Sequence, residues 1–334
     1  SLGERIAEHL PRLMKHAMYL TMGGRTVSWL CSLEITPAAV ILYSGYSPYL
    51  FRLLPWAKKN QVPLIFDAVE WYDPGSLLGW VSPYQLNIEL AMRFLLPRVD
   101  GVISISSYLH RYYSQCGLPS FLMPPTLDVR DLPECGAIVS AAGPQLRVVY
   151  AGTPGRKDLL DNIIEAVLSL RAEGIDVHVS VAGVTADQAV GYSSVRSRLA
   201  GEVDAGVRFL GYVDHPVALE LVRQADFTLL LRENARYANA GFPTKFVESF
   251  AVGTPVIANV TSDLGSYLRD AVTGFVCEGC RADDLKAALR RAFLQSVQAR
   301  SRMRAQCREV ALGSFDYRNF VDSFAGFIDS LRGS

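Results

Sequence analysis

The sequence has no excess of charge and no long apolar run. Its 334 residues include 33 Lys plus Arg and 33 Asp plus Glu, and the two signs balance in both halves of the chain. A nucleic-acid surface normally needs a basic face, so this composition argues against nucleic-acid partners. The apolar runs are well below the roughly 20 residues that a membrane-spanning helix requires.

Cysteines and recognisable metal motifs are also scarce. Six cysteines scattered through a chain of this length do not form a disulfide framework. Cys277 and Cys280 have the spacing of half a zinc site, but no second Cys or His pair completes it. We interpret them as two small apolar residues in a turn, with reduced thiols in a cytoplasmic compartment. An Asp-x-Asp motif is absent, so we expect no metal held by that device.

Short apolar runs rich in β-formers recur along the chain, each followed by turn residues and a helical pattern. They lie at residues 39–43, 63–66, 101–105, 146–150, 177–182, 227–231 and 255–258. Such continuous runs favour strands buried on both faces. Their alternation with helices predicts an α/β fold with parallel, doubly wound sheets. A chain of this length favours two domains.

The domain boundary is predicted where periodicity is interrupted, in the Gly/Ala/Ser/Pro-rich residues 124–145. We expect an N-terminal domain over 1–140, a second domain over 141–312 and a final segment over 313–334. Apolar residues at helical spacing predict a helix at 159–168 and another at 315–331. Residues 6–18 predict an amphipathic helix with a partly basic polar face. We favour its packing on the first domain, with a membrane-surface helix as the alternative.

The most informative motif runs from Gly241 to Ile257. Pro243 suits the first position of a short helix, whose apolar face is Phe246, Val247 and Phe250, and Gly253 suits its end. Lys245 and Glu248, three residues apart, share one face of that helix. Amides at a helix N-terminus beside a lysine favour phosphate, and a carboxylate one turn deeper can accept hydrogen bonds from a sugar diol. This motif predicts a pocket for a nucleoside diphosphate.

These residues, with several other segments, resemble the retaining glycosyltransferases of the GT-B fold grouped as family 4, which include bacterial polysaccharide and cell-envelope enzymes. The matching segments are 65–72, 99–106, 150–158, 209–213 and 241–257. The resemblance implies two Rossmann-like domains facing a cleft, with the donor nucleotide on the second and the acceptor on the first. It also implies a final helix that crosses back to the first domain. No strand with a glycine-rich loop precedes residue 36, so we expect a short first domain in a chain incomplete at its start.

The resemblance also implies roles for individual residues. Arg156, Lys157, Lys245 and Glu70 are the expected catalytic residues, with Lys157 gripping the diphosphate. Glu248 is expected to bind the ribose hydroxyls, and the amides of Thr244 and Lys245 to point at the diphosphate above Gly241 and Phe242. The expected donor-binding residues are Gly152, Thr153, Gly155, Arg232, Tyr212, Val213, Gly241, Phe242, Pro243, Thr244 and Glu248. Adjacent cations at a helix start oppose the helix dipole, which favours an anionic ligand near Arg156 and Lys157.

Three positions depart from the family pattern. Ala240 stands where a carboxylate normally contacts the donor sugar, and Thr153 where an arginine often follows the turn glycine. Val69 replaces a histidine expected beside the donor sugar, while Asp67 and Glu70 remain as carboxylates for the cleft. Sugar recognition is therefore expected to differ, and Arg156, Lys245 or Arg232 must supply the positive charge.

The resemblance implies transfer of a sugar from a nucleoside-diphosphate sugar to a hydroxyl of a glycan or lipid-linked acceptor in polysaccharide biosynthesis. The first expectation for the donor is a UDP-sugar such as UDP-glucose. We expect no cofactor and no metal, with the leaving phosphate stabilised by cations and helix amides. A peripheral contact with the inner face of a membrane stays open.

Three alternative functions make different demands on the sequence. An NAD-type oxidoreductase needs a Gly-x-Gly-x-x-Gly turn, and Gly152 with Gly155 lacks that spacing. A non-catalytic nucleotide-sugar-binding protein of the same fold stays open because of Ala240 and Val69. A sugar-nucleotide 2-epimerase also shares the fold, but no pattern in the second domain favours it.

Overall fold

The computed structural model describes residues 21–43, 45–74, 82–133, 145–154, 157–192 and 206–332. Chain contacts divide them into two compact units. The first unit reaches Met123 and includes the residues from Asp322 onward, and the second unit is Pro124–Val321. These limits differ from the expected boundaries at 140 and 312. The difference arises because the Leu127 N–H donates to the Phe315 carbonyl (2.9 Å) and Arg318 pairs with Asp128 (2.7 Å), which ties both segments to the second unit.

The first unit contains a parallel sheet in the order β1-β2-β3-β4. Its elements in chain order are α1 (Gly24–Cys31), β1 (Val40–Tyr43), α2 (Ser47–Asn60), β2 (Leu64–Ala68), α3 (Pro83–Leu90), β3 (Gly101–Ser104), α4 (Ser107–Gln115) and β4 (Ser120–Leu122). Helix α3 continues into a π-helical turn at Ala91–Leu95 and a 3₁₀ turn at Leu96–Arg98. Every residue of β3 is buried, as expected of a central strand in a parallel sheet.

The second unit contains a six-stranded parallel sheet in the order β10-β9-β8-β5-β6-β7. Its elements are β5 (Leu146–Ala151), α5 (Leu160–Ala172), β6 (Val177–Ala182), α6 (Ala186–Ala189), β7 (Val207–Gly211), α7 (His215–Gln224), β8 (Phe227–Leu230), α8 (Arg236–Ala240), α9 (Thr244–Ala251), β9 (Val256–Asn259), β10 (Gly274–Cys277), α10 (Ala282–Phe293) and α11 (Val297–Ser314). In chain order, β6 and β7 follow on one side of β5, whereas β9 and β10 follow on the far side of β8. Strands β5 and β8 therefore flank the point where the strand order reverses, which is where open α/β sheets bind ligands.

The apolar runs that predict strands are confirmed in both sheets, and so is the α/β fold class. The helix predicted at 159–168 is α5, whose residues Ile163, Ile164 and Val167 are fully buried against the sheet. The reading of Cys277 as a turn residue is wrong. Cys277 is the last residue of β10 and is buried in the core of the second unit, because it lies on the same face of that strand as Phe275, and both side chains belong to the core cluster.

The final helix, α12 (Val321–Arg332), is shorter than predicted. The expected start at 315 is wrong because Phe315 is buried in an aromatic cluster of the second unit, 4.7 Å from the Tyr267 ring, and a 3₁₀ turn follows. Within the first unit, Phe324 and Phe327 of α12 pack on Phe121 of β4, with ring centroids 5.6 and 5.4 Å away.

Residues 6–18, with their expected amphipathic helix, lie outside the described residues. In the part of the chain that is described, no helix has the length and apolar character to cross a membrane.

Candidate functional site

The candidate site lies where β5 and β8 end, at the switch point of the second sheet. Backbone contacts join the segments that follow the two strands: the Leu159 N–H donates to the Leu231 carbonyl at 2.9 Å. The side chain of Asn259, at the end of β9, accepts from the Arg232 N–H (3.0 Å) and donates to the Arg232 carbonyl (2.7 Å). The start of α5, the residue after β8 and the end of β9 are thereby fixed together.

A buried carboxylate, Asp158, is the centre of this site. Its Oδ1 accepts from Arg232 Nε at 2.8 Å, and its Oδ2 accepts from the Tyr150 hydroxyl at 2.7 Å. Oδ2 also pairs with the Lys245 ammonium. The side chain of Asp158 is only 2% exposed, whereas those of Arg232 and Lys245 are 10% and 18% exposed. Two cations from distant parts of the chain therefore share one buried anion.

Lys245 is held by three kinds of contact. Its Nζ donates to the Tyr150 hydroxyl at 2.8 Å, pairs with Asp158, and lies 4.3 Å from the centroid of the Tyr150 ring. A cation over an aromatic face beside a carboxylate is the setting of a charged ammonium. Two of the three ammonium N–H donors are thus used, and one makes no hydrogen bond with another described residue.

The protonation of the cluster follows from burial and charge. Burial opposes ionisation of Asp158, but the charges of Lys245 and Arg232 outweigh it and hold the pKa of the carboxyl below its usual value. Burial and then the Asp158 charge raise the pKa of Tyr150, so its hydroxyl stays protonated and acts as a donor. Burial lowers the pKa of Lys245, and the charge of Asp158 opposes that effect. With Lys245 protonated, one carboxylate between two cations leaves the cluster with a net charge of +1.

Two glycines let the ends of β5 and β6 approach this cluster closely. Gly152 has φ +129°, and a Cβ there would lie 2.5 Å from Lys245 Cε. Gly183 has φ +97°, and a Cβ there would lie 2.6 Å from the carbonyl carbon of Gly152. Both conformations favour glycine, so the lysine methylenes pack directly on backbone. The expected role of Gly152 in donor binding stays a prediction, and the sequence analysis assigned no role to Gly183.

Helix α9 begins one residue later than the sequence predicts. Pro243 is the residue before the helix (φ −74°, ψ 110°) rather than its first residue, because its extended ψ is not helical. The backbone N–H groups of Thr244 and Lys245 make no hydrogen bond with another described residue. The Phe242 side chain is buried, and its ring centroid lies 6.1 Å from that of Phe246, so Phe242 contributes core packing.

Glu248, on the second turn of α9, has a partner that the sequence did not predict. His215 Nε2 lies 2.9 Å from Glu248 Oε1, and both side chains are open to solvent (67% and 28% exposed). Tyr212, expected at the donor site, is exposed, and its hydroxyl accepts from Gln188 Nε2 at 3.1 Å. Val213 lies between Tyr212 and His215 and is half-buried.

Other expected residues are placed as follows. Arg156 and Gly155 lie outside the described residues. Lys157 is half-buried, and its N–H donates to the Pro154 carbonyl at 3.3 Å, while Thr153 is exposed. Ala240 is fully buried at the end of α8, and Gly241 is buried beside it.

Glu70 belongs to the first unit, where it is exposed after β2 and accepts a hydrogen bond from Tyr72. Burial raises the pKa of Asp67, on β2 itself. The half-buried Val69 lies between them in the sequence. The role of Asp67 and Glu70 as cleft carboxylates stays a prediction.

The sequence analysis assigned no role to Asp158, Tyr150 or His215. Asp158 directly follows Lys157 in the matched segment and is an acid beside two cations, which is the one signal that could have identified it. His215 gave no comparable signal, because its partner is 33 residues away. Among the described residues, no group of three or more His, Cys, Asp or Glu could hold a metal ion.

Comparison with known proteins relates this geometry to a family. Residues 139–310 match the family described as glycosyl transferases group 1, which is more than half of the chain. Glycogen synthase of Mycobacterium tuberculosis is 25% identical over 274 residues, covering 80% of this chain and 63% of that protein. The chain thus spans less than two thirds of the length of this curated relative.

Solved structures share the fold. Sucrose-phosphate synthase from Thermosynechococcus elongatus aligns with a TM-score of 0.70 at 17% identity, covering 97% of this chain and 80% of that one. HepE from Anabaena, solved in complex with UDP and glucose, aligns with a TM-score of 0.66 at 15% identity, covering 92% and 80%. Both likenesses agree with two α/β units of the GT-B type. The chain belongs to the glycosyl transferases group 1 family.

Proposed function

We propose that this protein is a retaining glycosyltransferase of the family 4 type that uses a nucleoside-diphosphate sugar, with UDP-glucose as the first donor to test. The acceptor is a hydroxyl of a glycan or lipid-linked sugar in polysaccharide biosynthesis. The observation that carries the proposal is the Lys245–Asp158–Arg232 cluster beside the first amides of α9. It provides a fixed positive charge and hydrogen-bond donors at the switch point of a parallel sheet, which suits a diphosphate.

In the proposed reaction, the bond between the anomeric carbon and the diphosphate oxygen breaks as the bond to the acceptor oxygen forms. The departing phosphate oxygen takes the acceptor's proton on the same face of the sugar, so no protein nucleophile is needed. Negative charge grows on the diphosphate during this step. Lys245, with its remaining N–H donor, and the amides of Thr244 and Lys245 would stabilise that charge. Arg156 and Lys157 are proposed to add to it, and Glu248 to bind the ribose.

The proposal includes no metal and no cofactor, and places the enzyme in the cytoplasm or at the inner face of a membrane. Positive charge from the side chains would replace the metal ion that other transferases use. Glu70 is proposed as the acceptor-side carboxylate. Activity that persists in EDTA would support the metal-free mechanism.

Three measurements test the proposal. A thermal-shift panel of UDP, ADP and GDP with their glucose derivatives identifies the base, and release of the nucleoside diphosphate measures turnover with and without simple glycoside acceptors. The anomeric coupling in the NMR spectrum of the product reports retention. Lys245→Ala should abolish the thermal shift that nucleotides cause. Lys58→Ala, which removes a cation from α2 of the first unit, should leave that shift unchanged. If no nucleotide stabilises the protein, the proposal is wrong.

The second candidate is a non-catalytic nucleotide-sugar-binding protein. Ala240 favours it, because this buried methyl group cannot contact the donor sugar as a carboxylate would. Binding of a nucleotide sugar without turnover, in the presence or absence of acceptors, would support this alternative.

A further inference from the structure

The loop that follows β7 is fixed at both ends by side chains from other elements. At its start, the Tyr212 hydroxyl accepts from Gln188 on α6. Gln188 is itself fixed, because it forms a reciprocal capping box with Thr185 (3.0 and 3.2 Å). At its end, His215, the first residue of α7, contacts Glu248 on α9. Residues 212–215 therefore connect α6 with α9.

The His215–Glu248 contact has a defined chemistry. A carboxylate only accepts hydrogen bonds, so His215 Nε2 must bear the proton that it donates to Glu248 Oε1. This leaves Oε2, and the second lone pair of Oε1, as acceptors. A vicinal diol offers two O–H donors at matching spacing. The histidine thus selects one rotamer of a partly exposed glutamate that would otherwise sample several.

We infer that His215 is a positioning residue that orients Glu248 to bind the ribose diol of the donor, and so contributes to discrimination between ribose and 2′-deoxyribose. This inference rests on the proposed function, since it concerns the same nucleotide site. His215 does not take part in the sugar transfer itself. Its loss should weaken nucleotide binding and leave the rate at saturating donor little changed.

The test compares nucleotide binding in four forms of the full chain: wild type, His215→Ala, His215→Gln and His178→Ala. Affinities for UDP, ADP and GDP and for their 2′-deoxy forms are measured by isothermal titration calorimetry. His178→Ala is a matched control, because His178 is also a partly exposed histidine paired with a carboxylate, Asp176, at 2.8 Å. It lies near the amino-terminal end of β6, away from the switch point.

For the nucleotide that binds wild type best, His215→Ala should weaken binding roughly 5- to 10-fold, as expected for loss of a hydrogen bond to a charged group at a partly exposed site. Binding of the 2′-deoxy form should change little, so the preference for ribose should fall. His215→Gln, which keeps an N–H donor, should recover part of that preference. His178→Ala should match wild type.

Three outcomes overturn the inference: unchanged or tighter binding by His215→Ala, an equal loss for ribose and deoxyribose forms, or the same loss in His178→Ala. A circular dichroism melt shows whether each variant is folded, and His215, with its exposed side chain, should be replaceable without unfolding. If wild type binds none of the three nucleotides, the proposed function itself fails. If wild type binds a nucleotide but replacing His215 has no effect, only the inference about His215 fails.

Discussion

Replacing Asp158 by Asn tests the central cluster most directly, because it removes one charge and keeps the size of the side chain. Lys245 and Arg232 would then lie largely buried with no paired carboxylate among the described residues. Removing one member of a buried ion pair typically costs about 3–5 kcal/mol. The partial exposure of Lys245 and Arg232 allows some relief through water, so we expect a loss of about 3 kcal/mol in the free energy of unfolding.

The loss should appear in urea unfolding and as a fall in melting temperature of about 6–12 °C, given the size of the second unit. Glu165→Gln is the matched control, since Glu165 is an exposed carboxylate on α5. Sugar transfer should fall on the order of 100-fold, because the ammonium loses its fixed position. Near wild-type stability and turnover in Asp158→Asn would refute the ion-pair argument.

The pH dependence of the free energy of unfolding is an independent test of the Asp158 ion pairs. The pKa of Asp158 is lower in the folded protein than in the unfolded chain. Its contribution to stability is therefore complete above the unfolded value of 3.8 and is lost as the pH falls below it. The stability difference between wild type and Asp158→Asn should be constant near neutral pH and shrink below about pH 4. A difference independent of pH through this range would show that Asp158 is not ionised in the folded state.

Three further predictions concern the contacts of Lys245, the backbone of Gly152 and the burial of the cysteines. Lys245→Ala should reduce turnover about 100-fold or more, comparable to losing one oxyanion donor, and near wild-type activity would remove Lys245 from the mechanism. Gly152→Ala should cost about 1–3 kcal/mol of stability from its left-handed backbone and should displace Lys245, so an unchanged melting curve with normal turnover would contradict the packing. In native protein, iodoacetamide should label the exposed Cys31 and Cys116 but not Cys277, whose burial raises the pKa of its thiol to about 12; mass spectrometry of the labelled peptides checks this.

The strands that the sequence did not predict share one physical property. Strands β4, β7 and β10 are all edge strands, and β4 and β7 have no fully buried residue. An edge strand needs less apolar surface, so its stretch of apolar residues is short or is interrupted by polar residues such as Arg208. Central strands such as β8 and β9 are buried at every residue, which is why their continuous apolar runs were recognisable.

The candidate site was predictable only where its signal is local. Lys245 and Glu248 were identified from one motif of adjacent residues, and the structure places both on the first two turns of α9. Their partners were not identified, because Asp158 is 87 residues from Lys245 and His215 is 33 residues from Glu248. A helical period or a turn signal contains no information about pairs at that separation. The order of strands in the sheet determines such pairs, and no single segment reports it.

Lys245, Arg232 and Asp158 are close together because their segments converge at the switch point of the sheet. The role of Asp158 there is to fix the position of the lysine. A lysine loses up to about 2 kcal/mol of side-chain entropy when it is fixed, and an unpaired lysine would lose it on binding its ligand. Here Asp158 and Tyr150 fix Lys245 during folding, so that cost no longer falls on the binding step. The same carboxylate lowers the net charge from +2 to +1. In the proposed function, Asp158 would therefore weaken the overall attraction for a diphosphate and improve the geometry of the ammonium. That exchange is expected of a site that stabilises charge in a transition state rather than merely binding it.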